Sequence, residues 1–350
     1  MRLAIISDTQ YGTRQDYVPF LELNHKFFTN VFWPYLVKNN IKTIVHLGDL
    51  VEKRKQISFM TAEYLRRDFL NPVNAGGYHL HWLLGNHDIY FRETTEINAA
   101  GLLNAGKFHI YETATEFVFA GTKVLFVPWI CKQNQEKSLK LIGESDAKIL
   151  LGHLELQGFE LNRYSIAKEG MQTTGLGKFD IVLTGHYHHR SIKDNIYYVG
   201  SHAEFTWADY GDEHGFHILD TDTRDIEFIK NPYTVFAKIW YNDSKGKVSP
   251  PKGGFESLNG KIVKVIISSK NDQEQYDWFM TQVENAQPLD IQAVDDHLNM
   301  DLTDDEAIIE ETKDTLSIIR NYIKQANNIV PVEKLDNLIV DLYNKAQEME

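Results

Sequence analysis

The sequence predicts an α/β layered domain, with a small α+β unit and a pair of helices after it. Three observations carry the first part. Short apolar runs of Ile, Val and Leu recur at residues 3–7, 43–47, 79–84, 148–151 and 181–184. Runs of this length and composition suit strands buried on both faces. Each run stops at a polar turn: Asp8, Gly48-Asp49, Gly85-Asn86-His87-Asp88, Gly152-His153 and Gly185-His186. Between some of them lie amphipathic segments, and alternating strands and helices indicate a layered sheet.

The elements follow in order. Phe20, Leu23, Phe27, Val31 and Tyr35 share one helical face, and Phe59, Ala62, Leu65 and Phe69 share another. Phe20, Phe27, Phe28, Phe32 and Trp33 read as helix packing rather than a stacking platform for bases. Gly76-Gly77 and the stretch 98–106 read as connections. After Gly200 the pattern changes: 215–220, 225–230, 236–241 and 261–269 read as strands, 242–254 as a Pro/Gly loop and 272–286 as a helix. This divides the chain into a large layered domain over 1–231 and a small α+β unit over 232–296. Residues 297–306 are an acidic linker, and a helical segment covers 307–350. Its first helix aligns Ile308, Thr312, Leu316, Ile319 and Ile323. Its second starts near Pro331 and aligns Val332, Leu335, Leu338, Leu342 and Ala346.

Composition sets the outer bounds. The 350 residues carry 36 basic and 49 acidic side chains, a formal charge of −13. Phosphate contacts from Lys and Arg supply most non-specific affinity for nucleic acid, so tight DNA binding by this chain alone is disfavoured. A nuclease that grips phosphate through metals and a partner is not excluded. Cys131 is the only cysteine, which rules out an intrachain disulfide and fits a reducing compartment. The apolar N-terminal run is too short for a signal peptide, and no run approaches the roughly 18 apolar residues of a membrane span. The expectation is a soluble, intracellular protein with no membrane partner.

The chemistry lies in five blocks at strand ends: Asp8-Thr9-Gln10, Gly48-Asp49-Leu50-Val51-Glu52, Gly85-Asn86-His87-Asp88, Gly152-His153 and Gly185-His186-Tyr187-His188. Ligand sites in open α/β sheets gather where strands end, so distant blocks can converge. Carboxylates, an Asn amide and imidazoles form a mixed oxygen/nitrogen set, suited to Mn²⁺, Fe²⁺ or Zn²⁺ rather than to an all-oxygen cage. His46 and His81 lie inside apolar strands and read as core or edge histidines; His202, His214 and His217 are given no role.

In order and spacing the five blocks resemble the calcineurin-like metallophosphoesterase signature, Asp-x-His, Gly-Asp-x-x-Asp/Glu, Gly-Asn-His-Asp/Glu, Gly-His, Gly-His-x-His, over roughly residues 1–200. The resemblance implies a four-layer sandwich, two central β-sheets flanked by helices. It implies two divalent metal ions, Mn²⁺ foremost, with Asp49 bridging them. Asp8, residue 10 and His188 would complete one site; Asn86, His153 and His186 would complete the other. His87 would act at the scissile phosphate as a catalytic residue, protonating the leaving oxygen. Residue 10 is Gln10 where the family has His. An amide oxygen can ligate a metal but is a weaker donor than imidazole, and the reading that Gln10 ligates nothing stays open.

Within that superfamily, Glu52-Lys53-Arg54 and Asp88 disfavour the protein Ser/Thr phosphatases, which place Arg-Gly after the second block and Glu after Gly-Asn-His. Residues 48–54 are instead similar to SbcD-type nucleases. Residues 127–131 (Val-Pro-Trp-Ile-Cys) and 151–159 (Leu-Gly-His-Leu-Glu-Leu-Gln-Gly-Phe) resemble the nuclease subunits of phage recombination endonucleases. That likeness implies a 3′→5′ exonuclease and single-strand endonuclease of DNA repair or recombination. It implies a capping function for 232–296, docking of the C-terminal helices on an SMC-like ATPase, and a homodimer in the complex. Those helices packing on the chain's own core is the competing reading. Tyr11, Arg14, Lys53 and Arg54 flank the blocks and His189 follows the last one; all are candidate substrate contacts, or else a solvated rim. The alternatives to a nuclease are a small-substrate phosphodiesterase with the same metals, or a scaffold that has lost turnover.

Overall fold

The computed structural model describes residues 1–103, 108–163 and 165–295. Two six-stranded sheets form its centre. The first runs Ile226–Lys230, Gly215–Asp220, Arg2–Ile6, Thr43–His46, His79–Leu83, His109–Tyr111. Its last four strands are parallel, and the two edge strands from 215 to 230 run antiparallel. The second runs Ser191–Lys193, Ile196–Tyr198, Ile181–Gly185, Ile149–His153, Thr122–Val127, Thr115–Phe119, parallel through its middle.

Alternation along each strand explains the stacking. Leu3 and Ile5 face the second sheet, where they meet Phe126, Ile149, Leu151, Ile181 and Leu183 in a dry inter-sheet core. Ala4 and Ile6 face the other way, onto Phe27, Phe28, Phe32 and Phe69 of the helical layer. The outer face of the second sheet, with Leu125, Leu150 and Val182, is covered by Ile142 of helix Gln135–Glu144 and by the segment bearing Leu154, Phe159 and Leu176. Strands covered on both faces need no polar side, which is why they read as unbroken apolar runs. The architecture is the expected four-layer sandwich, with most of the helices on the first sheet.

The two amphipathic segments are less regular than their spacing suggests. Val18–Phe27 passes through a turn of π-helix at Phe28–Phe32 into Trp33–Lys38, and Phe59–Leu65 passes through another at Arg66–Leu70 into Asn71–Ala75. Both irregular turns precede a proline, Pro34 or Pro72, whose missing N–H interrupts the i→i−4 ladder. The Asp68 carbonyl, four residues before Pro72, accepts a hydrogen bond from the Trp33 indole at 2.8 Å instead. Ser58 caps the second segment by accepting from the Thr61 N–H.

Residues 236–295 build a separate three-stranded parallel sheet, Phe236–Asn242, Ile262–Ser269, Asp290–Asp295, with helix Gln273–Asn285 over one face. Its own core holds Ile239, Tyr241, Val263, Val265, Phe279 and Val283. The last strand was not foreseen, because Asp290, Gln292 and Asp295 dilute its apolar character. Within the stretch expected to be a connection, Ala99–Leu103 forms a short helix whose Gly101 N–H is capped by Asn98. The acidic linker 297–306 and the helices of 307–350 lie outside the described residues. No described helix is long and apolar enough to cross a membrane.

Candidate metal centre

The expected ligands come from two sheets. Asp8, Asp49 and Asn86 follow strands Arg2–Ile6, Thr43–His46 and His79–Leu83 of the first; His153, His186 and His188 end or follow strands Ile149–His153 and Ile181–Gly185 of the second. Parallel strands point these ends the same way, so stacking the sheets closes the set. Hydrogen-bond distances then run through it without a break. Asp8 accepts from the His186 N–H at 3.2 Å, and the Asn86 side-chain oxygen lies 2.9 Å from His186 Nδ1 and 3.1 Å from His153 Nε2. His153 Nε2 lies 3.4 Å from Asp49 Oδ2, and Gln10 Nε2 lies 3.4 Å from Asp49 and 3.5 Å from His188 Nε2. One ligand atom from each of Asp49, His153 and His186 lies within 4.8 Å of the others.

The backbone is strained to make this possible. Asp8, Gln10 and Asp49 have φ values of 50°, 44° and 55°, the left-handed region that residues with a Cβ rarely adopt. Two glycines give the close approach. A Cβ on Gly85 would meet Asp49 Oδ1 at 2.1 Å, and one on Gly48, at φ 113°, would meet His153 Nδ1 at 2.5 Å. Asp88 locks the two loops together. Its fully buried carboxylate accepts from the N–H groups of Gly85, Asp49, Leu50 and Val51 and from the Trp82 indole, at 2.9 to 3.4 Å. The sequence showed the residue but not this clamp. An Asp three residues past a loop glycine, facing a second Gly-Asp loop, was the available signal.

Electrostatics favour a cation here. Asp8, Asp49 and Asp88 are three carboxylates that are all buried. Burial and the nearby Asp49 charge push Asp8 and Asp88 up, Asp88 to about 7. Burial alone would push Asp49 up as well, but His153 and His87 hold it below its ordinary value. Burial opposes charge on His153, yet Asp49, Asp8 and Asp88 raise it to about 9. Its Nδ1 faces the Leu47 carbonyl at 2.8 Å, which fixes the ring with Nε2 turned toward Asn86 and Asp49, the kind of outer contact a metal-ligating imidazole would use. The Gln10 side-chain oxygen and His186 Nε2 are buried with no hydrogen-bond partner among the described residues. Unpartnered donor atoms among buried carboxylates are what a divalent ion would satisfy.

His87 is half-buried at the edge of this set. Its backbone N–H donates to Asp49 Oδ1 at 2.8 Å and its Nδ1 lies 2.5 Å from the Glu52 carbonyl. That contact favours the tautomer with its hydrogen on Nδ1.

The flanking residues sort differently from the expectation. Tyr11 is 1% exposed and its ring stacks on Phe28 inside the helical layer, while its backbone bridges to Val51. Arg14 is exposed, but its Nε donates to the Phe205 carbonyl at 2.9 Å and its guanidinium lies over Phe20 and Phe236. Lys53 pairs with Asp16 at 2.8 Å. His189 sits between Asp212, at 2.6 Å, and Glu160, at 3.1 Å, which hold it above its ordinary value. Arg54 is half-buried near Asp49 and Arg92, with no acidic partner among the described residues. His46, His81 and His202 are core histidines, bonded to Thr9, Tyr111 and Asn24.

The model of the calcineurin-like phosphoesterase family matches residues 1–190. The chain is a calcineurin-like phosphoesterase. Phosphoesterases of this family are metal-dependent hydrolases, in keeping with the Asp/His cluster above. This one is 31% identical over 236 residues to exonuclease subunit 1 of Enterobacteria phage T4, across 67% of this chain and 67% of that protein. Among solved structures, the phosphoesterase has a distant likeness to an archaeal phosphodiesterase (15% identity, TM-score 0.34, 66% of this chain and 100% of that one). Purple acid phosphatase PPD1 of yellow lupin, Lupinus luteus, is similarly distant (12% identity, TM-score 0.36, 65% of this chain and 52% of that one). Scores this low carry no functional weight.

Proposed function

We propose that this chain is the nuclease subunit of an SbcCD-type DNA repair or recombination complex, hydrolysing phosphodiesters as a 3′→5′ exonuclease and single-strand endonuclease. The observation that carries the reading is the unbroken contact path Asp8–His186–Asn86–His153–Asp49–Gln10–His188, with its buried carboxylates and unpartnered donor atoms. Similarity to a phage exonuclease subunit supplies the substrate class.

Asp8, Gln10, Asp49 and His188 would hold one divalent ion, and Asp49, Asn86, His153 and His186 a second; Mn²⁺ suits both. When bound, such ions neutralise phosphodiester charge and make a water more acidic. The chain's own groups do the rest. His87, with Nδ1 committed to the Glu52 carbonyl, presents Nε2 as the proton donor to a departing oxygen. Arg54 is the flanking cation best placed for a substrate phosphate. Lys53 and Arg14 hold structure first, and His189 is partly neutralised by its carboxylates. A charge of −13 leaves most of the DNA surface to be supplied by a partner. An SMC-like ATPase docked on the C-terminal segment 307–350 would fill that need, with a homodimer as the assembled form and 232–296 as a cap that positions DNA.

The test is cleavage of plasmid and hairpin DNA with Mn²⁺ or Mg²⁺, with and without an ATPase partner. Manganese-stimulated cutting that disappears in Asp49→Ala is expected. Hydrolysis of bis-p-nitrophenyl phosphate or cyclic nucleotides without DNA cutting would point to a small-substrate phosphodiesterase. No hydrolysis of either with saturating metal and partner would make the chain a scaffold.

A further inference from the structure

A cavity of about 350 Å³ opens beside the metal centre and shares His153 with it. The two stretches most like phage nuclease subunits form its walls: Trp129 and Ile130 come from 127–131, and Leu154 and Glu155 from 151–159. Met171 also lines it, and so does Leu139, which at 43% exposed reaches the surface. Most of this lining is apolar. Gln135 and Glu155 add hydrogen-bonding groups.

The walls are built rather than incidental. The Asn134 side chain accepts from the Cys131 N–H at 2.9 Å and donates to the Trp129 carbonyl at 2.9 Å, which fixes the Trp129 loop. Opposite, Met171 N–H donates to the Glu155 carbonyl at 2.8 Å and Gln157 N–H to the Met171 carbonyl at 3.1 Å. Gly170 permits that pairing, since a Cβ there would meet the Glu155 carbonyl oxygen at 2.7 Å. The Trp129 indole lies with its centroid 5.1 Å from the His186 ring and 6.1 Å from the His153 ring, so it bounds the cluster and the cavity at once.

We infer that this cavity is a nucleobase subsite, holding the base of the nucleotide next to the scissile phosphate. This rests on the nuclease reading of the same centre. A phosphodiester at the cluster carries a sugar and base within one nucleotide's reach of His153. A base has apolar faces and hydrogen-bonding edges, which matches an indole and aliphatic wall with an amide and a carboxylate beside it. The volume is at the lower end of pockets that enclose small ligands and is large enough for a nucleoside. A base seated there has left the duplex stack, so the centre works on unpaired or frayed nucleotides.

The experiment compares kcat/KM, with Mn²⁺, on a single-stranded oligonucleotide and on its counterpart with abasic residues at the terminal and penultimate positions. Parent protein is set against Leu139→Trp, which fills the cavity, and Met171→Gln, which makes its wall polar. Thermal melts check that each variant folds. Binding of thymidine monophosphate and of deoxyribose 5-phosphate is measured by calorimetry as a second readout. The parent is expected to favour the base-bearing strand by about tenfold or more, the scale of base–aromatic stacking. The variants are expected to lose that preference and the tighter binding of thymidine monophosphate, while their rate on the abasic strand stays at the parent's. Equal parent rates on both strands, or variants that keep the preference, would overturn the subsite and leave the nuclease reading intact. Failure to cut either strand while bis-p-nitrophenyl phosphate is hydrolysed would overturn the nuclease reading and the subsite with it.

Discussion

Replacing Gly85 by Ala adds one methyl group at the tightest point of the metal centre. The new carbon would lie 2.1 Å from Asp49 Oδ1 and 2.4 Å from the Asp49 N–H nitrogen. Ordinary non-bonded contact needs about 3.5 Å, so one loop must retreat by roughly 1.4 Å. Gly85 also donates to Asp88, which holds the Asp49 loop, so the retreat cannot be confined to one side chain. A displacement of about 1 Å at a reacting centre lowers turnover on the order of 10²-fold. Overpacking of this kind costs about 1–3 kcal/mol in stability, which leaves most of the protein folded. The assay is Mn²⁺ affinity by calorimetry together with Mn²⁺-dependent phosphodiester hydrolysis. Gly143→Ala, on the surface helix with no atom within 4 Å of the added carbon, is the control. Gly85→Ala is expected to weaken metal binding and cut kcat/KM about 10²-fold at unchanged far-UV circular dichroism. A Gly85→Ala protein that matches Gly143→Ala in both measurements would refute the close-approach explanation of that glycine.

Three further outcomes are expected. His87→Ala should lower turnover by about 10²–10⁴-fold with Mn²⁺ stoichiometry unchanged in calorimetry, because general acid catalysis is lost while the ligands stay; loss of a metal ion instead would make His87 a ligand. Gln10→His should tighten Mn²⁺ binding, since imidazole is the better donor; unchanged affinity would mean that residue 10 contributes nothing to the site. His217 is held neutral by burial and by Arg190, at about 3, so the unfolded chain takes up a proton near pH 6.5 that the folded chain refuses. Stability is therefore full above pH 6.5 and falls as the pH drops toward 3, by about 2 kcal/mol at pH 5 for this one residue. In chelator, the melting-temperature loss of the parent between pH 7.5 and pH 5 should exceed that of His217→Phe by about 4–8 °C, and equal losses would assign the acid sensitivity elsewhere.

The clustering of the candidate ligands was legible because their sequence blocks are local. Gly48-Asp49 and Gly85-Asn86-His87-Asp88 are contiguous in sequence, and each follows an apolar run whose direction is fixed by a parallel sheet. What stayed hidden depends on which way a side chain turns once layers stack. Tyr11 and Arg14 looked alike as rim residues, yet one ring lies on Phe28 and the other side chain reaches across to Phe205 and Phe236. Spacing located Asp88 but could not show that it accepts from both Gly85 of its own loop and Leu50, 38 residues before it. The π-turns before Pro34 and Pro72 were marked by the prolines themselves, though their neighbours kept a helical period that masked the irregularity.

The division of donors between the sheets has a consequence for assembly. Neither half of the sandwich holds a full coordination set: one offers carboxylates and amides, the other imidazoles. A nascent chain released only as far as Asn86 lacks every imidazole of the set, and one released as far as His153 lacks two. Ion capture by the full proposed set would thus be a late event, and a captured ion would rivet the halves and report that they have docked in register.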